Sequence, residues 1–329
     1  MRAAVLACLL LLLLTACGRE RPSAEPPPAA TEEEDPLAGF EEEELAGRIS
    51  VDGSSTVAPL MTRTAEHFRR QEPKVRVTVG VSGTGGGFER FCRGETDLSN
   101  ASRPIKDEEE QLCQKNNIPF FELQVANDGI SVVVNTGNTW ADCLTVEQLK
   151  KMWEPKSEVK TWKDVDSSFP AEKLTLFGPG TDSGTFDYFT EAIVGEEGES
   201  RSDYTQTEND NVIVAGVGGQ KGALGYFGLS YYLENEERLK ALATDAGGDC
   251  VQPSVETVQD GSYRPLSRAL YVYVNEDSLA DKPAVDPFLT YLLDNEPGLA
   301  RGAKFVPMTT EQLDRARTVL ESGGVGTKE

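Results

Sequence analysis

Three short stretches of this chain place glycine, serine and threonine directly ahead of a helical pattern. They are Asp52-Gly53-Ser54-Ser55-Thr56, Ser82-Gly83-Thr84-Gly85-Gly86-Gly87 and Gly178-Pro179-Gly180-Thr181-Asp182-Ser183-Gly184-Thr185. Glycine lets backbone N–H groups approach a ligand closely, and a helix N-terminus offers unpaired donors with a partial positive charge. Hydroxyls at the same place add further donors. One such loop alone reads as a helix cap and a turn. Three of them converging would hold a tetrahedral oxyanion with little formal charge. Neither nucleotide motif applies: G-x-x-x-x-G-K-[ST] is absent, and Gly83-x-Gly85-x-x-Phe88 lacks the third glycine of the dinucleotide fingerprint.

The elements that must position these loops follow from periodicity. Residues 75–81 alternate apolar and polar with period two, which marks a strand, and 49–51, 130–135, 174–177 and 270–275 are further strand candidates. Helical patterns lie between them at 58–70, 88–93, 146–153, 186–194 and 287–294. The alternation predicts an α/β architecture with largely parallel sheets and no internal repeat. Ligands of such sheets sit beyond the carboxyl ends of strands, at helix N-termini, where the three loops fall. His67, the sole histidine, lies in the first helical pattern beside Phe68 and reads as a packed or surface residue.

The chain opens with Arg2, an apolar run over 3–14, and Leu14-Thr15-Ala16-Cys17. A charged start, a short apolar core and small residues before the cut predict a secretion signal over 1–16, resembling the lipobox of bacterial lipoproteins with Cys17 as the lipidated residue. No later segment has the length and apolarity of a membrane-spanning helix. Residues 17–47 carry Pro26-Pro27-Pro28 and two acidic runs, and predict a disordered acidic, proline-rich tether. Removing Arg2 takes the net charge of −23 to −24, of which the tether, with ten acids and two arginines, carries −8. The acidic remainder argues against nucleic acid and anionic lipid as direct partners, so an anion site must work locally. About 280 further residues is a length at which one core divides in two. Cys8 leaves with the signal. Cys92, Cys113, Cys143 and Cys250 then suggest two disulfides, and of the three pairings Cys92–Cys113 with Cys143–Cys250 closes each bridge within one predicted lobe. Without C-x-x-C pairs, and with one histidine, neither a metal site nor a cofactor is expected.

Several stretches together resemble the signature loops of phosphate-binding proteins of the high-affinity phosphate ABC importer. They are Gly53-Ser54-Ser55-Thr56-Val57, Ser82-Gly83-Thr84-Gly85-Gly86-Gly87-Phe88, Ala101-Ser102-Arg103-Pro104-Ile105 and Gly180-Thr181-Asp182-Ser183-Gly184-Thr185-Phe186, supported by Asn127-Asp128-Gly129-Ile130 and Lys221-Gly222-Ala223-Leu224-Gly225-Tyr226. Their order matches as well, over about 49–274. The resemblance implies a two-lobed, type II periplasmic-binding-protein (Venus flytrap) fold with phosphate in the interlobe cleft. Lobe I is expected at 48–126 and 263–322, and lobe II at 127–262. The implied ligands are Ser54, Ser55, Thr56, Ser82, Gly83, Arg103, Asp182, Ser183, Gly184 and Thr185, with Arg103 as the charged group able to grip two oxygens at once. Some members carry an aspartate where this chain has Arg103, and an arginine where it has Pro179. That aspartate accepts the proton of hydrogen phosphate, and Asp182 or Asp52 is the candidate substitute.

The implied role is delivery of inorganic phosphate to the permease of an ABC importer by a monomeric, lipid-anchored extracytoplasmic protein, on the cell membrane or the periplasmic face of an outer membrane. The alternatives are a binder of another tetrahedral oxyanion such as sulfate, and a secreted phosphate-ester hydrolase. Ser55, Ser82 or Ser183 would then need an adjacent base or a metal, which the composition does not offer, so no enzyme is expected.

Overall fold

The computed structural model describes residues 44–324. The signal, Cys17 and most of the tether fall outside them. Strand β1 (Ala46–Gly53) already takes in the last two residues assigned to the tether.

β1 pairs in parallel with β2 (Lys74–Val79) and β3 (Leu98–Ala101), as the alternation predicts. β4 (Phe120–Asn135) and β12 (Ser267–Asn275) then enter antiparallel, so the sheet is mixed where a largely parallel one is expected. Residues 120–129 of β4 pair with β12 (Ser267–Asn275), and 130–135 pair instead with β8 (Ala223–Gly228) and β9 (Leu239–Ala241). Beyond β8 lie β6 (Thr175–Gly178) and β7 (Thr205–Gln206), both parallel. A small second sheet joins β5 (Cys143–Thr145), β10 (Ala243–Asp245) and β11 (Cys250–Val251). The strand candidate at 130–135 covers only the second half of β4; in the first half Phe121, Leu123 and Val125 are buried between less buried neighbours, a period-two pattern broken only by the turn composition of Asn127-Asp128-Gly129. Asn127 and Asp128 are buried within the strand, bonded to Gln312 and Arg268 respectively.

Two large cores flank the β4 crossing, giving the two-lobed fold. In the first, α1 (Ala58–Gln71) buries Leu60, Met61 and Phe68 against Ile49, Val51 and Phe288. Pro59 in the first turn of α1, and Arg69 and Arg70 in the last, suit the helix dipole and the missing proline N–H. Around this core stand α10 (Glu276–Asp281), α11 (Val285–Asp294), α12 (Glu296–Gly302) and α13 (Thr310–Glu321). In the second core Trp153 meets Phe189, Tyr204 and Tyr226 edge-on. Its helices include α4 (Val146–Trp153), α5 (Trp162–Val165), α6 (Gly184–Phe189), α7 (Asp210–Gly219), α8 (Leu229–Leu233) and α9 (Val255–Gln259). α6 runs on into a π-helical turn at Thr190–Val194.

α2 (Gly83–Phe91) starts five residues before the helical pattern at 88–93 suggests, so the glycine run is itself the opening of a helix. Each glycine weakens a helix by up to about 1 kcal/mol relative to alanine. Close approach is what requires one of them here: a β-carbon on Gly87 would stand 2.4 Å from Gly53 Cα. α2 thereby rests directly on the first loop. Its far end is bridged to α3 (Asp107–Lys115) by Cys92–Cys113, while Cys143–Cys250 ties β5 to β11.

Candidate functional site

Each glycine–hydroxyl loop leaves the carboxyl end of a parallel strand and opens a helix, so strand direction aims them at a common place. The first loop is held by the buried Asp52, whose carboxylate accepts from Gly53 N at 2.7 Å, from Ser82 Oγ at 3.0 Å, and from Arg90. One carboxylate thus fixes the start of the first loop to the start of the second. Thr84 Oγ1 lies 3.0 Å from Ser102 Oγ, which joins the second loop to the end of β3.

The third loop faces them from the other lobe. Ser183 caps α6 by accepting from Thr185 N at 3.2 Å. Thr56 donates to the Gly184 carbonyl at 3.3 Å, and Ser55 donates to the Asp187 carboxylate at 3.2 Å. Between the lobes lies a narrow cleft of about 10 Å³, lined on one side by Ser54, Ser55, Thr56, Gly83, Thr84 and Ser102. Its other side is formed by Asp187, Tyr188, Glu191 and Glu197, with Arg268 of β12 between the two.

Of the residues singled out from sequence, Ser54, Ser55, Thr56 and Gly83 line this cleft, and Gly184 borders it through Thr56. Ser82 lies behind it, its hydroxyl committed to Asp52. Ser183 and Thr185 belong to the cap of α6, and Asp182 lies exposed in a separate open groove beside Ala58 and Arg63. Arg103 lines an adjoining hollow, where both its terminal nitrogens bond Glu109 at 2.8 Å. Burial opposes ionisation of Glu109, but this guanidinium holds its carboxyl below the usual range.

The cation in the cleft is Arg268, which pattern reading misses. It is the β12 partner of Asp128 in an antiparallel register that no local sequence signal reveals. Its Nη2 donates to Thr56 Oγ1 at 3.0 Å, its Nη1 to the Ser102 carbonyl at 3.4 Å, and its Nε to Asp128 at 3.3 Å. Burial raises the Asp128 carboxyl above its ordinary range even though Arg268 pulls the other way.

The cleft also holds carboxylates. Burial pushes Asp187 up, with Glu191 adding to the shift while the Ser55 bond and Arg268 oppose it. Partial desolvation, then Asp187 and Glu191, push Glu197 up. Asp187 is thus a half-buried acceptor lining the cleft, whereas the oxygens of Asp52 are engaged within the loops and Asp182 lies exposed outside it. Hydroxyls, a helix start and one guanidinium opposite such a group can grip an oxyanion that carries a proton.

Residues 27–296 match the family model of the PBP superfamily domain. SphX of Synechococcus elongatus is 46% identical over 282 residues, spanning 85% of this chain and 83% of that protein. The phosphate-binding protein PstS of Staphylococcus saprophyticus is 38% identical over 276 residues, spanning 84% of this chain and 85% of that one. Among solved structures, a "possible phosphate binding protein" of Planctomyces limnophilus has a TM-score of 0.81 at 42% identity, covering 85% of this chain and 99% of its own.

Proposed function

This chain belongs to the phosphate-binding proteins of the PBP superfamily, and from that membership we propose that it captures inorganic phosphate between its lobes for an ABC importer. The observation that carries the reading is the gathering of Ser54, Ser55, Thr56, Gly83, Thr84, Ser102 and Arg268 around one interlobe cleft. Within it Arg268 takes the charged role that the resemblance suggests for Arg103. A guanidinium has five N–H donors and three of these are engaged, so two remain for ligand oxygens. Asp187 takes the part of acceptor for the phosphate proton.

Residues 48–126 with 263–322 move as one lobe and 127–262 as the other. A ligand shifts such an equilibrium only by its differential affinity for the two states, and phosphate held by the first loop from one lobe and by Asp187 from the other meets that condition. The protein works outside the cytoplasm, anchored by lipid on Cys17, and hands phosphate to permease subunits as a monomer without turnover. His67 lies on α1 and does not line the cleft, which leaves the serines there without a histidine base.

Isothermal titration with phosphate, sulfate and molybdate tests the reading. Tight binding of phosphate alone is expected, and preference for sulfate or molybdate would overturn it. Sustained release of phosphate from a phosphomonoester would instead establish a hydrolase.

A further inference from the structure

The Arg268 guanidinium lies with Cζ 3.6 Å from the centroid of the Tyr188 ring, close enough for stacking of a planar cation on an aromatic face. The same tyrosine is buried, and its hydroxyl donates to the Pro265 carbonyl at 2.7 Å. Tyr188 of α6 therefore holds the chain at Arg268 on β12 and, three residues earlier, at Pro265 just ahead of that strand. The in-plane contacts of Arg268 are loose by comparison. Those to Asp128 and Ser102, at 3.3 and 3.4 Å, lie beyond the usual N–H···O range, and only the bond to Thr56 falls within it. In-plane bonds of that length leave the tilt of the guanidinium poorly fixed. A ring whose centroid stands 3.6 Å from Cζ restricts it.

We propose that Tyr188 is the positioning residue for Arg268: by stacking on the guanidinium it sets the plane from which the two unengaged N–H groups reach the bound oxyanion. The inference rests on the phosphate reading above. It adds that the third loop contributes to binding through the helix it opens as well as through its own backbone, since Gly184 and Tyr188 share α6.

Titration of the full chain with inorganic phosphate tests this, comparing Tyr188→Phe, Tyr188→Met and each combined with Arg268→Lys. Phenylalanine keeps the stack and loses only the Pro265 bond, so affinity stays within about threefold of the parent. Methionine fills the space without a flat face, and affinity falls about tenfold, the size of a partly desolvated cation–π contact. In the Arg268→Lys background, whose ammonium has no plane to orient, Tyr188→Met costs no more than about twofold further. Thermal melting without phosphate separates loss of fold from loss of grip, and Tyr188→Phe keeps the question answerable if the methionine variant unfolds. Equal losses from Tyr188→Met in both backgrounds, or a Phe variant as weak as the Met variant, would reduce Tyr188 to ordinary packing. If the parent protein fails to bind phosphate, the phosphate reading falls and this inference with it.

Discussion

Gly184 of the third loop lies against Thr56 of the first so closely that a β-carbon on it would stand 2.5 Å from Thr56 Oγ1 and 2.8 Å from the Thr56 backbone nitrogen. Thr56 in turn donates to the Gly184 carbonyl. The two lobes meet where one of them has no side chain. Gly184→Ala is therefore expected to hold the loops apart, at the cost of about 1–3 kcal/mol typical of overpacking. Phosphate affinity should fall tenfold or more, and solution scattering at saturating phosphate should show a more open particle. Parent-like affinity would mean that the loops need not touch when phosphate is bound.

The reassigned cation gives a sharper contrast. Arg268→Ala removes the guanidinium from the cleft and leaves the buried Asp128 without its partner, a change of about 3–5 kcal/mol in comparable buried pairs. Phosphate affinity is expected to fall at least about a hundredfold. Arg103→Ala, which releases Glu109 outside the cleft, should cost less than about tenfold. Titration of both variants decides between the two arginines. The reverse ranking would restore Arg103 as the anion's partner.

Selectivity should follow Asp187. Asp187→Asn replaces an acceptor-only carboxylate with an amide that can also donate to an unprotonated oxygen, so phosphate should lose its advantage and sulfate, which offers no proton near neutral pH, should be rejected less. Asp182→Asn, altering an exposed residue outside the cleft, should leave the ratio unchanged. Competition titrations of phosphate against sulfate measure both. An unchanged ratio in Asp187→Asn would clear Asp187 of the role.

Stability should depend on pH through Glu296 of α12, which does not line the cleft. This fully buried carboxyl accepts from Met308 N through Oε1, while Oε2 has no hydrogen-bond partner. Burial pushes its pKa from 4.5 up to about 7, against the opposing pull of the Met308 bond and of Arg301. Between those values the unfolded chain releases the proton and the folded chain keeps it. The folded state then binds more protons, so stability declines as pH rises through this window, by up to about 3 kcal/mol. The contribution is fully present below pH 4.5 and gone above about 7. Glu296→Gln should flatten this part of the profile. Urea unfolding midpoints from pH 4.5 to 8 check it, and a parent slope retained in the glutamine variant would assign the effect to other groups.

Much of the fold is legible in local pattern. β1, β2, β6 and the helices at 58–71, 146–153 and 285–294 lie where local pattern puts them, β2 and the helices because each buries one apolar face that repeats with its own period, β1 and β6 as short apolar runs. In β4, 120–125 alternate with period two, and it is the middle of the strand that is not legible. Asn127, Asp128 and Gly129 read as a turn, and what makes them strand is the company of β12 and of Arg268. The start of α2 is hidden for a related reason: glycines read as loop, and the nearness of Gly53 explains the place of Gly87 in a helix.

Composition alone determined the chemical character of the site, since glycines and hydroxyls at the carboxyl ends of strands are legible one loop at a time. Which of them face the same point was decided by tertiary structure. Ser82 and Ser183 share the composition of Ser55, yet the first is bound to Asp52 and the second caps α6. Arg103 and Arg268 carry the same charge, and Glu109 claims one while antiparallel pairing of β4 with β12 brings the other into the cleft. The physical reason is range. Capping and turn preferences act over a few residues, whereas the Arg268–Thr56 and Ser55–Asp187 bonds join positions 212 and 132 residues apart, which only the folded sheet brings together.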